Sequence, residues 1–131
     1  MKNVVTPETA RKLKEAGFKK SRAEKGETWY AFENRPYFIF EQTDQFVMGI
    51  YLDGDFQTAA LPAKFVVEKY VFAPTATDIL RELGGGIYLT AGTECFEVYD
   101  DWRDLENGRC QYMSLNPAHA VAMVWLQTRA K

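Results

Sequence analysis

The chain has 131 residues, 47% apolar and 26% charged, a balance that suits one folded soluble domain, residues 1–131. It lacks both the ~18-residue apolar run of a membrane span and, in the opening MKNVVTPETARKLKEAGFKK, the apolar stretch of a secretory signal. Residues 1–25 hold eight Lys/Arg against three acids, a net of +5, and residues 26–131 hold eight against fifteen, a net of −7, so the aromatic-rich part is acidic and argues against a nucleic-acid partner.

The first predicted element is a helix. Thr6 caps it, Pro7 suits the first helical position, and Glu8 favours the positive end of the dipole. Ala10, Leu13 and Ala16 form a narrow apolar face, and Gly17 ends the helix. Lys12, Lys14, Lys19, Lys20 and Arg22 then read as solvated cations, with phosphate contact as the sharper alternative.

Strand signals follow, dense in Trp29, Tyr30, Phe32, Tyr37, Phe38 and Phe40. Glu27–Glu33 and Tyr37–Glu41 flank Asn34-Arg35-Pro36, a predicted hairpin connection. Phe46–Leu52 and Phe56–Leu61 flank Asp53-Gly54-Asp55, where Asp-Gly is the favoured pair of a primed turn. That turn accounts for both carboxylates without catalysis. Val66–Phe72 reads as another strand, while the pattern over Leu61–Lys69 is ambiguous.

Thr75-Ala-Thr-Asp78 has the spacing of a capping box, and Ala76, Ile79, Leu80 and Leu83 fall on one helical face. Gly84-Gly85-Gly86 comes after this helix and before a strand, Ile87–Thr90. Phosphate loops run strand, glycines, helix, so the triplet reads as a helix stop. Asn116-Pro117 opens the last helix, whose apolar residues run most of the way round. That pattern means burial, or alternatively self-association into a homo-oligomer.

The stretch CFEVYDDWRDLENGRC (Cys95–Cys110) contains five acids and a tryptophan between the chain's two cysteines. An EF-hand register anchored on Gly108 puts Arg103, Leu105 and Asn107 where acids belong, so calcium fails. Alternation on both sides of Asn107-Gly108 predicts a hairpin. Its tip, Asp100, Asp101, Trp102, Asp104 and Glu106, is the candidate protein-contact surface, provided that Trp102 points outward and does not fold back onto the sheet. Without a secretion signal the cysteines read as free thiols in a reducing cytoplasm. His119 is the only histidine, and no HExxH, CxxC, G-x-S-x-G or dinucleotide signature occurs, so no metal, cofactor or catalytic residue is assigned.

Three segments carry a resemblance: VVTPETARKLKEAGF (Val4–Phe18), APTATDILREL (Ala73–Leu83) and NPAHAVAMVWLQ (Asn116–Gln127). Together they resemble small α+β proteins of bacteriophages, prophages and other mobile elements, over about a third of the chain. The likeness lies in helix starts and packing positions, so it implies architecture and transfers no site. The expected fold is α+β: an antiparallel, aromatic-rich sheet of hairpins packed against two or three helices. The expected function is that of a non-catalytic accessory binding a host or phage protein. The alternative is a small carboxylate-dependent enzyme acting on nucleotides or sugars, which requires two acids in a concave pocket.

Overall fold

Helix α1 spans Pro7–Glu15, and its two ends are built as local chemistry dictates. At the start the Thr9 amide donates to Thr6 Oγ1 at 3.4 Å. At the end Gly17 takes φ +103°, the Phe18 amide donates to the Leu13 carbonyl at 2.8 Å, and the Gly17 amide donates to the Lys14 carbonyl at 3.1 Å. This is a Schellman termination, which brings the residue after the glycine onto the last helical turn. Both Leu13 and Phe18 are buried.

The computed structural model describes residues 4–54, 56–83, 87–92, 95–99 and 101–129. The chain is α+β and groups into two compact units, Ala10–Ala73 on one hand and Met1–Thr9 with Pro74–Lys131 on the other. The glycine triplet 84–86 and Asp55 lie outside the described residues.

The unit of residues 10–73 contains a five-stranded antiparallel sheet. Its strands are β1 (Thr28–Tyr30), β2 (Pro36–Gln42), β3 (Phe46–Tyr51), β4 (Thr58–Pro62) and β5 (Val71–Ala73), in spatial order β4-β3-β2-β1-β5. Both predicted strand pairs form, but with other connections: β1 ends at Tyr30 and a 3-10 turn at Phe32–Asn34 follows, Pro36 belongs to β2, and residues 52–57 join β3 to β4 in place of a two-residue Asp53-Gly54 turn. The β1–β2 connection turns through Glu33 and Asn34, both at positive φ, and Gly54 supplies φ +109° in the β3–β4 turn. Trp29, Tyr37, Ile39 and Val47 project from the sheet into one core with Val66 and Tyr70. A bulge between Ile39 and Glu41 sets Phe40 out of register, and its ring is 41% exposed.

Residues 66–72 depart from expectation. Helix α2 spans Ala63–Lys69, and only Val71–Ala73 is strand. Val66 and Val67 carry strand propensity, but Val66 is fully buried against the sheet, and that packing outweighs a local preference worth about 1 kcal/mol or less.

The other unit holds a three-stranded antiparallel sheet of β6 (Tyr88–Ala91), β7 (Phe96–Tyr99) and β8 (Tyr112–Ser114), in that order. Helices α3 (Ala76–Leu83) and α5 (Pro117–Arg129) pack together, and α5 also lies on β7 and β8. Thr75 and Asp78 cap α3 reciprocally: the Thr75 amide donates to Asp78 Oδ2 at 3.0 Å, and the Asp78 amide donates to Thr75 Oγ1 at 3.2 Å. On α5, Ala118, Ala120, Val121, Ala122, Val124 and Trp125 are all buried, the first of the two outcomes its all-round apolarity allowed.

Asn116 ties this unit together. Its Oδ1 accepts from the Ala118 and His119 amides at 2.9 and 3.3 Å, and its Nδ2 donates to the Val4 carbonyl at 3.0 Å. Asn116→Ala is expected to destabilise the fold by about 1–2 kcal/mol, from the lost cap and an unpaired Val4 carbonyl. Urea unfolding checks this, with Asn116→Asp expected to recover most of the cap contribution but not the bond to Val4.

Candidate functional site

The segment between the cysteines is not a simple hairpin. Strand β7 ends at Tyr99, helix α4 spans Trp102–Asn107, and β8 begins only at Tyr112. Asp101 is the helix cap, its Oδ1 accepting from the Asp104 amide at 2.9 Å. Gly108 takes φ 71°, with the Arg109 amide donating to the Asp104 carbonyl at 2.8 Å. Asn107-Gly108 is therefore a helix terminator and not the turn of a hairpin. A glycine in the left-handed region serves either purpose, which is why the dipeptide misleads.

The helix places Trp102 outward, 57% exposed. Of the acids grouped with it, Glu106 and Asp101 are exposed and Asp104 is half-buried, while Asp100 lies outside the described residues. Asp101 is occupied by its capping bond, and Arg103 and Arg109 offset two of the three described acids. The tryptophan is thus the dominant feature of this surface, and charge is secondary. Tyr88, Met113 and Leu115 are also exposed in the same unit: Met113 stands opposite Glu97 on the sheet, and Leu115, just past β8, is 82% exposed.

Cys95 and Cys110 are free and half-buried, and the Cys110 thiol donates to the Tyr112 carbonyl at 3.0 Å. His119 Nδ1 lies 3.3 Å from Thr9 Oγ1, and its ring meets the Tyr112 ring edge-on at 6.0 Å. The histidine is thus engaged in holding the chain start near α5. The Tyr99 hydroxyl donates to the Glu97 carboxylate, and that bond, with burial, pushes its pKa up to about 12. Among the described residues no group of three or more His, Cys, Asp or Glu is placed to hold a metal ion.

The unit of residues 10–73 contains two features that the sequence did not single out. One is a tyrosine cluster. Tyr37 is fully buried and donates to the Ala59 carbonyl at 2.7 Å, and its ring lies 5.0 Å from Tyr51 and 5.8 Å from Tyr70. The Tyr51 and Tyr70 hydroxyls are 2.7 Å apart, and Arg35 stacks 4.2 Å over the Tyr51 ring while its Nε bonds Asp53 at 2.5 Å. Burial pushes the Tyr37 hydroxyl up to about 12 and also raises Tyr70, with the bond to Tyr51 adding to the latter.

The second feature is a cavity of about 280 Å³. Ala10, Leu13, Phe18, Trp29, Val67, Tyr70 and Phe72 wall it, and Lys14, Lys19 and Lys20 also border it. The Schellman end of α1 sets Phe18 and the lysines there. The only local hint was the order Leu13, Gly17, Phe18, which fits such an end. A separate cleft of about 390 Å³ holds Asp44 and Glu68 together with Arg22 and Lys64. Both of those acids are exposed, and Glu68 sits 3.9 Å from Lys64.

In class the chain is an α+β protein built on two antiparallel sheets, and no described helix is long and apolar enough to cross a membrane. No protein-family model, curated protein sequence or solved structure matches it.

Proposed function

We propose that this chain is a non-catalytic accessory protein of a bacteriophage, prophage or mobile element, acting in the cytoplasm by binding a host or phage protein through α4. The observation that carries this reading is the outward position of Trp102, 57% exposed on a helix capped at both ends. Tryptophan is the residue most enriched in the energetic centres of protein interfaces, and a helix fixed at both ends presents it with little entropy left to lose. The partner surface that fits is an apolar pocket with a modest excess of basic groups at its rim. The mobile-element setting rests on the resemblance of the three helix-start segments alone. The carboxylate-enzyme reading has less behind it. The two acids that share a cleft, Asp44 and Glu68, are open to water and flanked by Arg22 and Lys64.

The test compares wild type with Trp102→Ala. The variant is expected to keep its stability within ~0.5 kcal/mol, as for an exposed side chain, and to lose a protein that wild type retains from host lysate. A loss of several kcal/mol would place Trp102 in a core, and identical retention by both forms would remove α4 as the contact.

A further inference from the structure

The cavity walled by Leu13, Phe18, Trp29, Tyr70 and Phe72 is explained neither by core packing nor by protein binding through α4. An open pocket of about 280 Å³ has more room than the ~150 Å³ cavity that admits benzene, and Phe18, Trp29, Tyr70 and Phe72 give it aromatic walls. The Trp29 indole N–H donates to Glu27 at 3.2 Å, and Lys20 bonds the same carboxylate at 2.9 Å. That carboxylate is therefore already committed, and it is not among the residues that line the space.

The remaining cations are not committed. Lys14 and Lys19 border the cavity, both are exposed, and among the described residues neither makes an ion pair. Among the described residues no carboxylate lines the space. An apolar chamber bordered by two uncompensated ammonium groups matches a molecule with an apolar body and one negative end. A neutral apolar molecule would use the walls alone, and a cation would be repelled at the mouth.

We propose that this cavity binds a small organic anion with an apolar body, of the arylalkyl carboxylate class. The aromatic or alkyl part sits among Phe18, Trp29 and Phe72, and the carboxylate is held by Lys14 and Lys19. This site lies wholly within residues 10–73 and stands independently of any contact made by Trp102.

Calorimetric titration with three compounds that share one tail tests the assignment: 4-phenylbutyrate, 4-phenylbutanol and 4-phenylbutylammonium. The carboxylate is expected to bind, the alcohol about tenfold more weakly, and the ammonium compound more weakly still, one solvent-exposed charge contact being worth about a factor of ten. Lys14→Ala combined with Lys19→Ala is expected to bring the carboxylate down to the alcohol's affinity and leave the alcohol unchanged. Val67→Trp, which fills the chamber, is expected to weaken carboxylate and alcohol alike. If that variant loses its cooperative melt, the lysine variant decides alone, since both of its positions are exposed. Equal binding of all three compounds, no binding of the carboxylate, or carboxylate binding unmoved by the lysine changes would overturn the proposal.

Discussion

Gly49→Ala is expected to destabilise the protein by about 3 kcal/mol, the upper part of the range for an overpacked core with a further contribution from a buried hydroxyl left unpaired. A Cβ at position 49 would lie 2.3 Å from Tyr37 Cζ and within 2.7 Å of both Cε atoms, distances at which something must move. The glycine is not there for its backbone freedom, since it sits in the middle of β3. It is there because the Tyr37 ring from the neighbouring strand lies across it. The ring has nowhere to go: it is fully buried, tied to the Ala59 carbonyl at 2.7 Å and packed on Tyr51 and Tyr70. Urea unfolding measures the loss, and a cycle with Tyr37→Leu, whose side chain ends short of the clash, locates its cause. The double variant is expected to be more stable than the sum of the two single losses by at least about 1 kcal/mol, as for residues in direct contact. Additive losses would show that the ring is not the obstacle.

That contact also marks where the sequence stops being informative. The helix starts were legible because caps are local: Thr6-Pro7, Thr75 with Asp78, and Asn116-Pro117 each place a hydrogen-bonding side chain within three residues of the amide it satisfies. A reversal at Asp53-Gly54 was legible for the same reason, but not its form, since residues 52–57 make the connection in place of a two-residue primed turn. Where one local signal serves two structures, the reading failed. Val66-Val67 suits a strand yet forms part of α2, and Asn107-Gly108 suits a tight turn yet ends α4. The exposure of Trp102 follows from that second case, because a helix between β7 and β8 carries the residue away from the sheet plane. The cavity was not legible at all. Lys14 and Lys19 are solvent-exposed as their composition suggested, but their position beside Trp29 and Phe72 depends on how the end of α1 meets β1 and β5. No spacing along the chain encodes that meeting.

The tyrosine cluster predicts the strongest response to pH. Tyr37 is raised to about 12 mainly by burial, and Tyr70 is raised by burial and its bond to Tyr51, against about 10 for an exposed tyrosine. A folded-state pKa above the unfolded value means that the neutral phenol is favoured by folding. Its contribution is complete below pH ~10 and is lost as pH climbs through the folded value. For Tyr37 alone the span from about 10 to about 12 corresponds to about 3 kcal/mol, enough to remove much of a typical domain's stability. Urea midpoints are therefore expected to stay level through the tyrosine window from pH 8 to 10 and then fall steeply toward pH 12. The tyrosinate absorbance of Tyr37, read as the difference between wild type and Tyr37→Phe, is expected to appear together with unfolding and not ahead of it. Tyr37→Phe separates this from the general loss of lysine charge in the same range. At pH 8 the variant lacks one hydrogen bond and is expected to be weaker by about 1 kcal/mol. Above pH 10 it has no phenol to ionise at the centre of the core, so its deficit should shrink and then reverse. Parallel loss of stability in the two proteins from pH 10 to 12 would mean that the buried ring does not govern alkaline unfolding. A crossing of the two curves would assign the effect to the ring that Gly49 makes room for.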